Sequence, residues 1–159
     1  MIIPGYTIRL ATLTEAPVIQ GHRRAMFADM QYDGGEAALD AMSVQFLPWL
    51  RRKMEAGEYL AWFAVARNGD IAAGIGVWLM DWPAHMVGPG SPRANILNVY
   101  TQPEHRRRGL ARALMLTAVG WCRENGVRAV ILHASNDGRA LYESLGFQPT
   151  NEMRLMLGE

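Results

Sequence analysis

Apolar and polar positions along this chain follow two periods, and the switches between them mark the elements. Tyr6-Thr7-Ile8-Arg9-Leu10 alternates with a period of two and predicts a first strand. Thr14 then reads as an N-cap, with Glu15 and Pro17 in the first helical turn. Val18, Ile19, His22, Ala25, Met26 and Met30 form a helical stripe that predicts a helix to about Met30. Asp33-Gly34-Gly35 breaks it. Glu36 to about Glu55 predicts a second helix, interrupted or kinked near Pro48, where an N–H is missing, and ended by Gly57.

The middle of the chain changes character. Tyr59 to Arg67 is apolar on both faces, as in a buried strand. Asn68-Gly69-Asp70 is a hairpin turn, and Ile71 to about Met80 returns as the partner strand, with Gly74 and Gly76 marking a bulge or close packing. Asp81 to Arg93 carries Pro83, Gly88, Pro89, Gly90 and Pro92 and predicts a loop near the substrate entrance. A strand to Tyr100, a helix from about Arg108 to Asn125 and a strand over Arg128–His133 make a βαβ unit, with Gly126 as the helix stop. A short helix from about Gly138 to Leu145 ends at Gly146. Phe147 onward, with Met153-Arg154-Leu155-Met156-Leu157, is expected to form a closing hairpin. The sum is an α/β chain of one domain over residues 1–159, with a mixed sheet, helices on both faces and ligand sites at strand ends.

Composition narrows this picture slightly. Sixteen basic and fifteen acidic residues leave a formal charge of +1, so nothing calls for a nucleic-acid or anionic-membrane partner. The lone Cys122 forbids an internal disulfide. No basic stretch precedes a long apolar run at Met1-Ile2-Ile3-Pro4-Gly5, and no run approaches a membrane span. A cytoplasmic enzyme is the expectation. No Cys/His cluster has metal-ligand spacing, so no metal is expected.

The most informative chemistry is Arg106-Arg107-Arg108-Gly109-Leu110-Ala111, which stands between a strand and a helix. The first turn of a helix has backbone N–H groups without partners and a partial positive charge. A glycine-bearing loop that aims those donors outward binds phosphate oxygens, and Gly109 lacks the Cβ that would hold a phosphate off.

Arg106-x-x-Gly109-x-Ala111, within the longer run from Val99 to Ala111, resembles the Q/R-x-x-G-x-G/A signature of the GNAT superfamily of N-acetyltransferases. Leu141-Tyr142-Glu143-Ser144-Leu145-Gly146-Phe147 resembles that family's C-terminal L-Y-E-x-L-G-F segment. The resemblance implies a GNAT-like mixed central β-sheet flanked by helices on both faces. It also implies a loop, Arg106 to Ala111, that holds the pyrophosphate of acetyl-coenzyme A, with Arg107 or Arg112 reaching outer phosphates. It implies further that the strand end Val99-Tyr100-Thr101 carries a bulge, splays from its neighbour, and pairs its backbone with the pantetheine arm, one amide polarising the acetyl carbonyl. Tyr142 stands where the family places a tyrosine that protonates the leaving thiolate. Many members carry Asn seven residues before that tyrosine. This chain has Ser135 with Asn136 beside it, and either is a candidate for the coenzyme contact.

The expected function is therefore transfer of an acetyl group from acetyl-CoA to a primary amine of a small molecule, directly, since no triad nucleophile is visible. Acetylation of a protein N-terminus or lysine is the first alternative. A non-catalytic acyl-CoA sensor is the second, and an RNA-binding use of the arginine run is the weakest. Dimers are frequent in the family, so a homodimer stays open. The general base is left open among Asp81, His85, Asn98, Glu104 and His133, with His22 and His105 read as structural or surface residues. Trp82 is a candidate substrate contact or a loop anchor. Arg23, Arg24, Asp29, Asp33 and Glu36 could read substrate charge or lie on solvated faces.

Overall fold

The strands are Tyr6–Leu10 (β1), Tyr59–Ala66 (β2), Ile71–Met80 (β3), Arg93–Thr101 (β4) and Ala129–Leu132 (β5). The α-helices are Ala16–Asp29 (α1), Gly35–Glu55 (α2), Leu110–Glu124 (α3) and Arg139–Ser144 (α4). The computed structural model describes residues 1–86 and 92–158. The expected loop over Asp81–Arg93 therefore falls partly outside the described residues, with Gly88, Pro89 and Gly90 among those not described.

The sheet runs in order β1-β2-β3-β4-β5. The first four strands are antiparallel to their neighbours, and β5 joins β4 in parallel. A parallel neighbour needs a crossover, and α3 supplies it. Alternation along β2 sends side chains to two cores. Tyr59, Ala61 and Phe63 pack with Ala16 and Ile19 of α1 and with Phe46 and Leu50 of α2. Trp62 and Ala64 pack on the opposite face with Leu110, Leu114, Met115, Ala118 and Cys122 of α3. Both faces are thus covered, which is why β2 reads as a continuous apolar run. The expected α/β architecture is present.

Three expectations need correction. The helical region before α1 starts at a 3₁₀ turn over Leu13–Glu15 capped at Thr12, not Thr14. The Thr12 amide donates to Glu15 Oε2 at 2.8 Å, so the residue three places ahead of the glutamate makes the reciprocal cap. Helix α2 is not interrupted at Pro48. The carbonyl that Pro48 leaves without a donor belongs to Val44, which is 74% exposed, so water can take the place of the missing N–H.

The closing hairpin is absent: among the described residues the sheet ends at β5, and residues 145–158 contain no strand. Met153, Leu155, Met156 and Leu157 are exposed. Alternation marks a segment able to pair, but a strand exists only where a partner edge supplies its hydrogen bonds. Pro149, at the start of the expected hairpin, has no N–H to contribute.

Candidate active site

The chain leaving β4 makes a 3₁₀ turn over Pro103–His105 and then reaches α3. His105 is tied to β1 through a 2.8 Å hydrogen bond between Tyr6 Oη and its Nδ1. Two residues of the following loop take the left-handed conformation, Arg107 at φ 60° and Gly109 at φ 80°. That conformation is costly for arginine and easy for glycine. The Arg106 amide donates to Pro103 O at 3.3 Å, and the Ala113 amide starts the helix on Gly109 O at 3.1 Å. Between them, the amides of Arg107, Arg108, Gly109, Leu110, Ala111 and Arg112 have no acceptor among the described residues. Six amides without an acceptor at a helix start are the kind of arrangement that suits an anion.

The arginine side chains around these amides have different tasks. Arg106 is exposed but bound along the surface: its Nη2 donates to Asp29 Oδ2 at 2.7 Å, its Nε to Thr101 O at 3.0 Å, and its guanidinium lies over the Tyr100 ring. It ties the loop to the end of α1. Arg107 and Arg108 are exposed, with Arg108 Nη2 3.4 Å from Glu104 O. Arg112 donates to Ser144 Oγ at 2.7 Å, joining α3 to α4. Leu110 sends its side chain into the core, 2% exposed, and contributes to the run of amides only through its backbone.

Beside the loop, β4 parts from β5. The two strands pair from Arg93 with Ala129 to Ile96 with Leu132, and β4 continues to Thr101 paired only with β3. A bulge lies just beyond the last pair with β5. Leu97 faces Gly76 while Tyr100 faces Gly74, so β4 spends an extra residue between them. Asn98 sits in that bulge at φ 56° and is buried. Its Nδ2 donates to Tyr59 Oη at 2.8 Å, and its Oδ1 accepts from Arg23 Nη1 at 2.9 Å. Val99 and Thr101 are half-buried and Tyr100 is buried against His22, their rings 5.3 Å apart.

Tyr142 is buried on the α3 side of the sheet and packs on Phe147. Its hydroxyl has no protein partner among the described residues. Burial pushes its pKa above the ordinary phenol value, so it keeps its proton at neutral pH. Ser135 Oγ accepts the Gly138 amide at 3.1 Å, so this serine caps the turn that places Tyr142, and Asn136 is exposed.

The base candidates do not converge. Asp81 is exposed at the end of β3 and borders a hollow of about 720 Å³ together with Trp82 and Lys53. Glu104 is exposed on the loop and His85 on the segment after β3. His133 is exposed and lies 3.5 Å from Glu152. Of the candidates, Asn98 alone is buried at the splay. Trp82 carries the Arg93 guanidinium 4.1 Å above its ring, the contact of a loop anchor. His22 is core, 4% exposed. The sequence reading missed the joining of Tyr59, Asn98 and Arg23. Each is an ordinary residue in its own element, and only Asn98, polar within an apolar strand, carries a local signal.

The acetyltransferase (GNAT) family model matches residues 23–147. The chain is similar to a GCN5-related N-acetyltransferase from Ralstonia eutropha, 35% identical, over 96% of this chain and 99% of that one, with a TM-score of 0.89. A protein from Clostridium acetobutylicum solved with acetyl-CoA shares the fold at a TM-score of 0.85 and 22% identity, over 96% of each chain. The chain is also similar to a mycothiol acetyltransferase of Thermobispora bispora, 32% identical over 124 residues, which is 76% of this chain and 39% of that one. It spans between 28% and 66% of the length of the curated relatives it matches.

Proposed function

The chain belongs to the GNAT acetyltransferase family, and from that premise we propose that it moves the acetyl group of acetyl-CoA directly to a primary amine of a small molecule. The observation that carries this reading is the run of unpaired amides from Arg107 to Arg112 at the start of α3. A diphosphate would give each donor an acceptor, and no other group in the described chain does.

Acetyl-CoA would supply the acetyl group as a thioester. The chain's own residues position and protonate. The free edge of β4 beyond Ile96, over Val99-Tyr100-Thr101, offers backbone donors and acceptors to the pantetheine amides. Asn98, fixed by Tyr59 and Arg23, presents a rigid polar group where the amine would approach. Tyr142 holds a proton that it gives up only when the leaving sulfur gains negative charge. Arg107 is exposed and able to meet an outer phosphate, whereas Arg112 is bonded to Ser144. Ser135 accepts the Gly138 amide and keeps its O–H to donate, while Asn136 is exposed, so either side chain can serve a coenzyme contact.

A thiol-release screen over amines, amino acids and short peptides tests the reading, with mass analysis of the acceptor. Thiol release matched by one acetylated small amine is the expected result. Acetyl-CoA binding without release for any acceptor would identify a sensor instead, and release with peptides alone would move the acceptor to protein.

A further inference from the structure

Five charged residues near the first two helices could read substrate charge, and the structure separates them. Arg24 is paired with both Glu36 and Asp40 at 2.7 Å. Asp29 is paired with Arg106. Asp33 is exposed. Arg23 differs from all of these. Its guanidinium is half-buried between two rings, 4.9 Å from the Phe27 centroid and 4.7 Å from that of Phe46. No carboxylate pairs with it among the described residues. Of its five N–H donors, the Nη1 bond to Asn98 Oδ1 has a protein acceptor, and Nε is shut off from solvent with no partner among the described residues.

A guanidinium stripped of part of its water and given one neutral acceptor is poorly compensated. The loss of hydration shows in its pKa, which burial lowers. The flanking rings return some of that loss through cation–π attraction, but rings accept no strong hydrogen bonds. Nor can Asn98 swing away to relieve the site, because its backbone is held in the left-handed region and its amide is bonded to buried Tyr59. Such a group is preorganised for an anion that arrives with the ligand. The planar fork of arginine matches a carboxylate. The location is equally specific: Asn98 immediately precedes Val99, at the point where β4 leaves β5.

We infer that Arg23 is the receptor for a carboxylate carried by the acceptor, so that acceptors of the amino-acid type are preferred over neutral amines of the same shape. This rests on the acetyl-transfer reading given above. The carboxylate completes the coordination of the guanidinium, and the amine on the same molecule is thereby held beside Asn98 and the strand bulge. Peptide and protein N-termini lack a carboxylate at that spacing, which separates this acceptor class from the protein alternative.

Matched pairs decide the matter: free amino acids against their carboxamides, assayed by thiol release with saturating acetyl-CoA. For the best acceptors, kcat/KM is expected to favour the carboxylate by on the order of 100-fold, since its loss leaves a desolvated charge unpaired. Arg23→Met should bring that ratio close to one and Arg23→Lys should restore part of it, while Arg24→Ala leaves it unchanged. A ratio near one in the wild type, or one that Arg23→Met does not alter, overturns the inference. A second readout needs no turnover and no variant: calorimetric titration of N-acetylamino acids and their amides into the wild-type protein with coenzyme A, where equal affinities would also overturn it. Thiol release that ignores the carboxylate refutes the role of Arg23 and leaves acetyl transfer standing. Carboxylate-dependent binding with no thiol release from any amine does the reverse.

Discussion

The Tyr59 hydroxyl fills the space that a side chain at Gly76 would need: a methyl group there would lie 1.8 Å from the phenolic oxygen. Gly76 faces Leu97 across the β3–β4 ladder, at the foot of the bulge that carries Asn98. The bare glycine therefore admits Tyr59, Tyr59 holds Asn98, and Asn98 holds Arg23. Gly76→Ala should displace the Tyr59 ring and break this chain. Overpacking of a filled core costs about 1–3 kcal/mol, and urea unfolding would measure it. Because the displaced ring supports Asn98, activity should fall further than the stability loss alone explains.

Gly109→Val tests the phosphate cradle. Residue 109 sits at φ 80°, where a β-branched side chain is strained by about 1–2 kcal/mol. Relief of that strain would turn the neighbouring amides. The expected outcome is a loss of acetyl-CoA affinity of tenfold or more, read by calorimetry, with a small drop in thermal midpoint. Unchanged affinity would remove the cradle from the binding account.

Tyr142→Phe keeps the ring packing on Phe147 and removes only the hydroxyl. General-acid groups contribute roughly 10²–10⁴-fold. The variant should lose kcat by on the order of 100-fold at an unchanged acetyl-CoA affinity. Burial raises the phenol's pKa, so any alkaline decline of the wild-type rate from this group should lie at higher pH than for a free phenol. An unaltered kcat would end its role as the acid.

His22 makes stability depend on pH. Burial pushes its imidazole down to about 4, below the ordinary value of 6.5. The folded protein binds this proton less readily than the unfolded chain does. The stabilising effect is therefore complete above pH 6.5 and is lost progressively as pH falls toward 4. Between pH 7.5 and pH 5 the loss should reach about 2 kcal/mol. In His22→Leu the dependence over that interval should flatten, and chemical unfolding at the two pH values measures the difference.

Much of the architecture is legible before any coordinates. Hydrophobic period places β2, β3, β4, α3 and α4 within one to three residues, because burial on one face or two acts through spacing along the chain. The glycine loop is legible for a related reason: its donors belong to the backbone, and Gly109 with the strand before it and the helix after it is a local pattern. Pro48 does not interrupt α2, because the effect of a lost hydrogen bond depends on what surrounds the freed carbonyl, and Val44 is exposed.

The sequence by itself thus determined the order of the elements, the two faces of the sheet and the glycine turn between β4 and α3, each written in residues that are near neighbours in the chain. Tertiary structure alone decided that Arg106 pairs with Asp29, that the tail after Phe147 finds no strand partner among the described residues, and that Arg23, Tyr59 and Asn98 meet at one bulge. These contacts join positions 77, 75 and 39 residues apart. Such pairings are chosen by which surfaces packing brings together, and local spacing carries no record of them.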